Sequence, residues 1–190
     1  MTTNTAAPRI ALISGSTRKD SINGRAVKAI AAVFKSLGAK PTIISLTDYD
    51  MPIYNGDLED AHGVPETAKK LIRRLKRFDG VYISTPEYNG SLPALLKNTI
   101  DWTTRVELGH LTGPVYGIGA CSPGATAGVV AARELHLLLA RLGCHVVPVY
   151  ACIGNADSAF DAKGKFLPGR GFDQASLMAD KMLADIARRR

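Results

Sequence analysis

Apolar residues follow two alternating patterns along this chain. Short continuous runs at 10–14, 42–46, 80–84, 115–120 and 145–150 read as strands buried on both faces. Between them, apolar residues recur at steps of three and four, which predicts helices. Val27, Ile30, Phe34 and Leu37 mark the first, with Gly38 as its C-cap. Val64, Ala68, Leu71, Ile72 and Leu75 mark the second, and Leu92, Leu95, Leu96 and Ile100 the third. A fourth runs over 129–142, closed by Gly143, and Asp173 is read as the cap of a last helix over 173–190.

Strand and helix therefore alternate five times. Strands buried on both faces are satisfied by a parallel sheet with helices on each side, joined by right-handed crossovers. The fold class is α/β: a doubly wound, five-stranded parallel sheet in the order 2-1-3-4-5, whose ligand crevice lies outside the carboxyl ends of the strands. No linker or repeat divides the chain, so residues 1–190 read as a single domain. Residues 1–7 read as a disordered tail, and 151–172, rich in Gly and Asp, as an irregular surface loop.

Composition changes this picture little. No apolar run reaches the ~18–20 residues of a membrane span, and the first ten residues lack both the basic and the apolar parts of a signal peptide. The expected location is the cytoplasm, with no membrane partner. The net charge of +7 comes from 24 basic and 17 acidic residues spread over many segments. The densest cluster, "KKLIRRLKR", flanks an apolar helical stripe and carries no nucleic-acid motif, so it reads as a solvated face rather than a nucleic-acid surface. Three cysteines without paired spacing point to a reducing compartment, and four scattered histidines offer no metal site.

Chemistry gathers in three loops that the fold places on one sheet edge: "GSTRKDSIN", "TPEYNGSLP" and "ACSPGATAG". The first suits an anion. Gly15 permits close approach, Ser16, Thr17 and Ser21 supply hydroxyls, Arg18 a planar charged fork, and the helix that follows a set of unpaired N–H groups. It lacks the glycine-lysine ending of a Walker loop. The second combines the stiffness of Pro86, the flat face of Tyr88 and the Asn89-Gly90 turn, a mixture that suits a planar ligand. In the third, Gly117, Gly119 and Gly124 miss the dinucleotide spacing, because Ser122 stands where the third glycine belongs. Cys121 shares no loop with Arg18 and has no evident histidine partner, so it reads as a buried or pocket-lining thiol.

At these loops the chain resembles the NADPH-dependent FMN reductase family, which includes bacterial quinone and chromate reductases. "GSTRKDSIN" is similar to that family's G-S-x-R-x-x-S-x-N phosphate loop. "TPEYNGSLPALLKNTIDWTTR" is similar to its P-E-Y-N loop and the K-N-x-I-D-W helix that follows. The similarity runs from residue 10 to about 150 and departs at Cys121, where the family often has serine. It implies a flavodoxin-like fold with non-covalent FMN, NADPH or NADH as electron donor, and a quinone or similar small acceptor (chromate, an azo compound, free flavin). Residue by residue, it implies that Ser16, Arg18, Ser21 and Asn23, with the backbone of Ile22, hold the phosphate. Pro86, Glu87, Tyr88 and Asn89 would line the isoalloxazine, with Cys121 and Ser122 on its other side.

The same resemblance implies ping-pong turnover, a homodimer or homotetramer, and no acid–base or nucleophilic side chain, because the flavin carries the chemistry. A flavodoxin-like electron carrier or flavin-binding protein without its own NAD(P)H turnover is the alternative. The positive charge and Arg18 count against it, since flavodoxins are usually acidic and bind phosphate without arginine.

Overall fold

The computed structural model describes residues 6–190. Residues 1–5 of the expected tail lie outside the described residues, and Ala6 and Ala7 have no regular structure. Five parallel strands, β1 (Arg9–Ser14), β2 (Lys40–Ile44), β3 (Gly80–Thr85), β4 (Val115–Cys121) and β5 (His145–Ile153), form one sheet in the order β2-β1-β3-β4-β5. The expected doubly wound order is the observed one. Every residue of β3 and β4 is buried, as their central places require, whereas β2 and β5 are partly exposed edges. Pro41 and Pro148 fall on those two edges, where a missing N–H breaks no essential ladder bond.

Alternate strand residues feed two cores. Ile10, Leu12 and Tyr82 meet α1 (Ile22–Ser36) and α8 (Arg170–Arg189) on one face. Ala11, Ile13, Val81, Ile83 and Ile118 meet α3 (Glu66–Leu75), α4 (Ala94–Thr104) and α6 (Val129–Arg141) on the other. The glycines of β4 serve this packing rather than a ligand. A Cβ on Gly117 would lie 2.2 Å from Met182 Sδ, and one on Gly119 would lie 2.2 Å from the Tyr82 hydroxyl and 2.5 Å from the Ala151 carbonyl oxygen.

Several boundaries differ from the pattern reading. Strand two occupies Lys40–Ile44 rather than 42–46, because Ser45 caps a 3₁₀ turn over Leu46–Tyr49 that buries Leu46. Asp173 does not cap the last helix. Gly169 does, and Asp173 sits in the first turn, where its charge complements the helix dipole. The segment 151–172 is more regular than expected: β5 runs on to Ile153, α7 (Ala156–Ala159) follows, and Phe160 and Phe166 pair across a short antiparallel bridge with rings 5.0 Å apart. Two further short helices, α2 (Gly56–His62) and α5 (Gly109–Thr112), have no counterpart in the apolar pattern. Helix α2 buries none of its residues, so it leaves no apolar stripe to read.

Candidate active site

The loops after β1, β3 and β4 meet at the carboxyl edge of the sheet. The first is a compact turn. Ser16 N–H donates to Ser14 Oγ (3.2 Å), Arg18 N–H to Ser16 Oγ (3.3 Å) and Ser21 N–H to the Arg18 carbonyl (3.1 Å), with Asp20 left-handed at φ 59°. Gly15 answers to packing here as well as to any ligand: a Cβ would lie 2.5 Å from Leu96 and 3.0 Å from Pro86. Ser21 caps α1 by accepting the Gly24 N–H at 3.3 Å. The helical ladder begins with Arg25, so among the described residues the N–H groups of Ile22 and Asn23 have no acceptor. The Arg18 guanidinium is exposed and likewise without a protein partner there.

Asn23 does something the motif does not announce. Its side chain is buried, and Oδ1 accepts from Cys121 N–H (3.0 Å) and Ser84 Oγ (2.8 Å), while Nδ2 donates to the Cys121 carbonyl (3.1 Å). With the carboxamide committed to the protein, what Asn23 still offers an anion is its main-chain N–H.

The second loop is held by two carboxylates. Glu87 Oε2 accepts from the N–H groups of Val130 and Ala131 (3.0 and 3.2 Å), capping α6, which has no side-chain cap of its own. In return, Glu134 on α6 accepts from Ser91 Oγ (2.8 Å) and Leu92 N–H (2.9 Å). Tyr88 and Ser91 exchange two main-chain hydrogen bonds of 3.1 Å around Asn89 (φ 54°) and Gly90 (φ 75°), the tight turn that Asn-Gly favours. Glu87 therefore turns its carboxylate toward α6, and Tyr88, half exposed, presents a ring wall.

A cavity of about 150 Å³ opens between the three loops. Ten of the eleven residues singled out from the sequence line it: Ser16, Arg18, Ser21, Ile22 and Asn23, then Pro86, Glu87 and Tyr88, then Cys121 and Ser122. Asn89 alone lies outside the lining, at the tip of its turn. A second hollow of about 360 Å³ shares Ser16, Arg18 and Tyr88 and extends to Pro93, Ala94 and Leu95. Hollows of about 310 and 640 Å³ lie elsewhere and hold none of these residues, so chemistry rather than volume selects the site. Burial pushes the Cys121 thiol up to about 12, which leaves no thiolate for nucleophilic attack at neutral pH. Among the described residues no cluster of three metal-ligating side chains occurs, and no helix is long and apolar enough to cross a membrane.

The residues fit a phosphate ester bearing a planar group. Two unpaired N–H groups at a helix start, hydroxyls and one guanidinium form the anion seat, and a tyrosine-walled slot lies beside it. Ser84 and Glu134, which position these groups, carry no local motif and show themselves only through contacts across 61 and 42–43 residues.

Fold and crevice together define a flavodoxin-like α/β protein with an anion seat at the carboxyl edge of its sheet. Residues 8–158 match the NADPH-dependent FMN reductase family, and the chain belongs to that family. It is 35% identical over 160 residues to a quinone reductase of Pseudomonas putida, covering 82% of this chain and 83% of that protein. It is 34% identical over 142 residues to the quinone reductase of Escherichia coli K12, covering 73% of each. A solved structure of FerB, a flavoenzyme NAD(P)H:(acceptor) oxidoreductase from Paracoccus denitrificans, superposes with a TM-score of 0.80 at 28% identity, over 96% of this chain and 98% of that one.

Proposed function

We propose that this chain is an NAD(P)H-dependent, FMN-containing oxidoreductase that delivers electrons to quinones and similar small acceptors. The observation that carries the reading is the crevice itself. Residues from three loops, separated by up to about a hundred positions, converge on one anion seat and one aromatic-walled slot. Bound FMN would supply the redox chemistry, taking a hydride equivalent from the nicotinamide and passing two electrons to the acceptor.

The protein's part is to bind, orient and expose. The hydroxyls of Ser16 and Ser21, the Arg18 guanidinium and the N–H groups of Ile22 and Asn23 hold the phosphate. The main chain of Pro86, Glu87, Tyr88 and Asn89 lines the ring on one side, and Cys121 and Ser122 on the other. With one crevice for both, donor and acceptor occupy it in turn, so initial-rate plots at several quinone concentrations should be parallel; intersecting lines would require a ternary complex. Chromate, azo compounds and free flavin belong to the same acceptor class, and a cytoplasmic homodimer or homotetramer completes the reading. Titration tests it first: about one FMN should bind per chain, and riboflavin more weakly. Equal affinity for the two would remove the phosphate assignment.

A further inference from the structure

Strands β3 and β4 pair as far as Thr85 and Ala120; then β3 leaves the sheet at Pro86. Ser122 turns its N–H to β5, donating to the Ile153 carbonyl at 3.1 Å, so Cys121, one residue earlier, turns its own N–H and C=O toward β3 at the point where that strand ends. Pro86 has no N–H, so the ladder stops there, and a buried Cys121 carbonyl left unpaired would be costly. The Asn23 carboxamide takes the place of the missing strand, with bonds of 3.0 and 3.1 Å to Cys121.

Ser84 completes the bridge. It is fully buried, and its hydroxyl donates to Asn23 Oδ1 at 2.8 Å, so that oxygen accepts two bonds while Nδ2 donates the third. The carboxamide is thereby locked in one orientation. The Ser84 carbonyl also accepts the Gly15 N–H at 2.8 Å. One residue of β3 thus anchors both the entry of the anion loop, at Gly15, and its exit, at Asn23, to the end of the sheet.

We propose that Ser84, through Asn23, is a positioning residue that fixes the distance between the anion seat on α1 and the ring-facing Cys121–Ser122 backbone on β4. The proposal rests on the FMN reading above. A ligand that spans both seats depends on their separation; a ligand that occupies one seat does not. Loss of the Ser84 hydroxyl leaves Asn23 held by Cys121 alone and loosens the spacing.

The test is the ratio of FMN to riboflavin affinity, measured by flavin titration with thermal melts as the folding control. In Ser84→Ala that ratio should fall about three- to tenfold, and Ser84→Thr, which keeps the hydroxyl, should recover most of it. Asn23→Ala removes the whole bridge while keeping its main-chain N–H. It should lower the ratio further, and it carries the test if Ser84→Ala does not fold. A merely structural role would weaken both flavins alike, and an unchanged ratio in the folded variants overturns the proposal. Wild type that fails to prefer FMN overturns the functional reading, and the positioning role falls with it.

Discussion

The first and second loops hold comparable polar side chains and use them in opposite ways. In the first, the Arg18 guanidinium and the Ile22 and Asn23 N–H groups have no acceptor among the described residues. In the second, Glu87 accepts two hydrogen bonds from α6, and Ser91 and Leu92 donate two more to Glu134 on that helix. Hydrogen-bonding capacity left over marks the surface that meets a ligand, and capacity that is filled marks the frame that holds it. Charge alone does not separate the two, since both loops are charged and both line the same cavity.

The largest effect expected of the frame comes from a group far from the crevice. His110 is fully buried with neither ring nitrogen hydrogen-bonded, and burial pushes its pKa down to about 4 from an ordinary 6.5. The unfolded imidazole takes up a proton below about 6.5 that the folded one refuses until about 4. This residue's contribution is therefore intact above the unfolded value and lost as pH falls through that window, on the order of 3 kcal/mol in all. Denaturant melts between pH 7 and 4 should show that loss in wild type and a flatter profile in His110→Leu; identical slopes would mean the imidazole finds a partner in solution.

Arg18→Ala tests the ligand-facing side. A charge-assisted hydrogen bond contributes about 1.5–3 kcal/mol, so FMN should bind roughly ten- to a hundredfold more weakly. Riboflavin affinity and the circular dichroism spectrum should stay as in wild type. If FMN affinity changes less than about twofold, the guanidinium faces solvent and the amides and hydroxyls carry the phosphate.

Glu87→Ala should reverse that profile. Removing the cap of α6 should cost about 1–2 kcal/mol of stability, read from urea melts. Flavin affinity should drop only as far as the turn around Tyr88 loosens. A variant as stable as wild type would show that the capping bonds are not formed in solution.

How far the chain could be read in advance follows the same division. The sheet order followed from strands buried on both faces, and the crevice from three polar loops on one edge, because both are local patterns placed by topology. What stayed hidden depends on distant partners. Nothing near Asn23 says that its carboxamide will replace a departing strand at Cys121, 98 residues away. Nothing near Glu87 says that it will cap a helix 43 residues on. Strand two lies two residues earlier than its apolar run because the edge strand is partly exposed, and Leu46, at the end of that run, belongs to the buried turn beyond it.

The smallest effect belongs to Cys121. Its thiol is buried and kept protonated, and the bonds at this position run through its main chain. Cys121→Ser should therefore retain most NADPH-to-quinone turnover. Lost turnover with FMN still bound would return the thiol to the chemistry.

If these three loops make a reductase and not merely a flavin binder, NADPH alone must reduce the flavin. Anaerobic addition of NADPH to the FMN-loaded protein, followed by absorbance, tests it directly. The flavin should bleach without any second protein, and its colour should return when a quinone is added. Flavin that binds in the crevice yet stays oxidised in excess NADPH and NADH would make the protein an electron carrier and not a reductase.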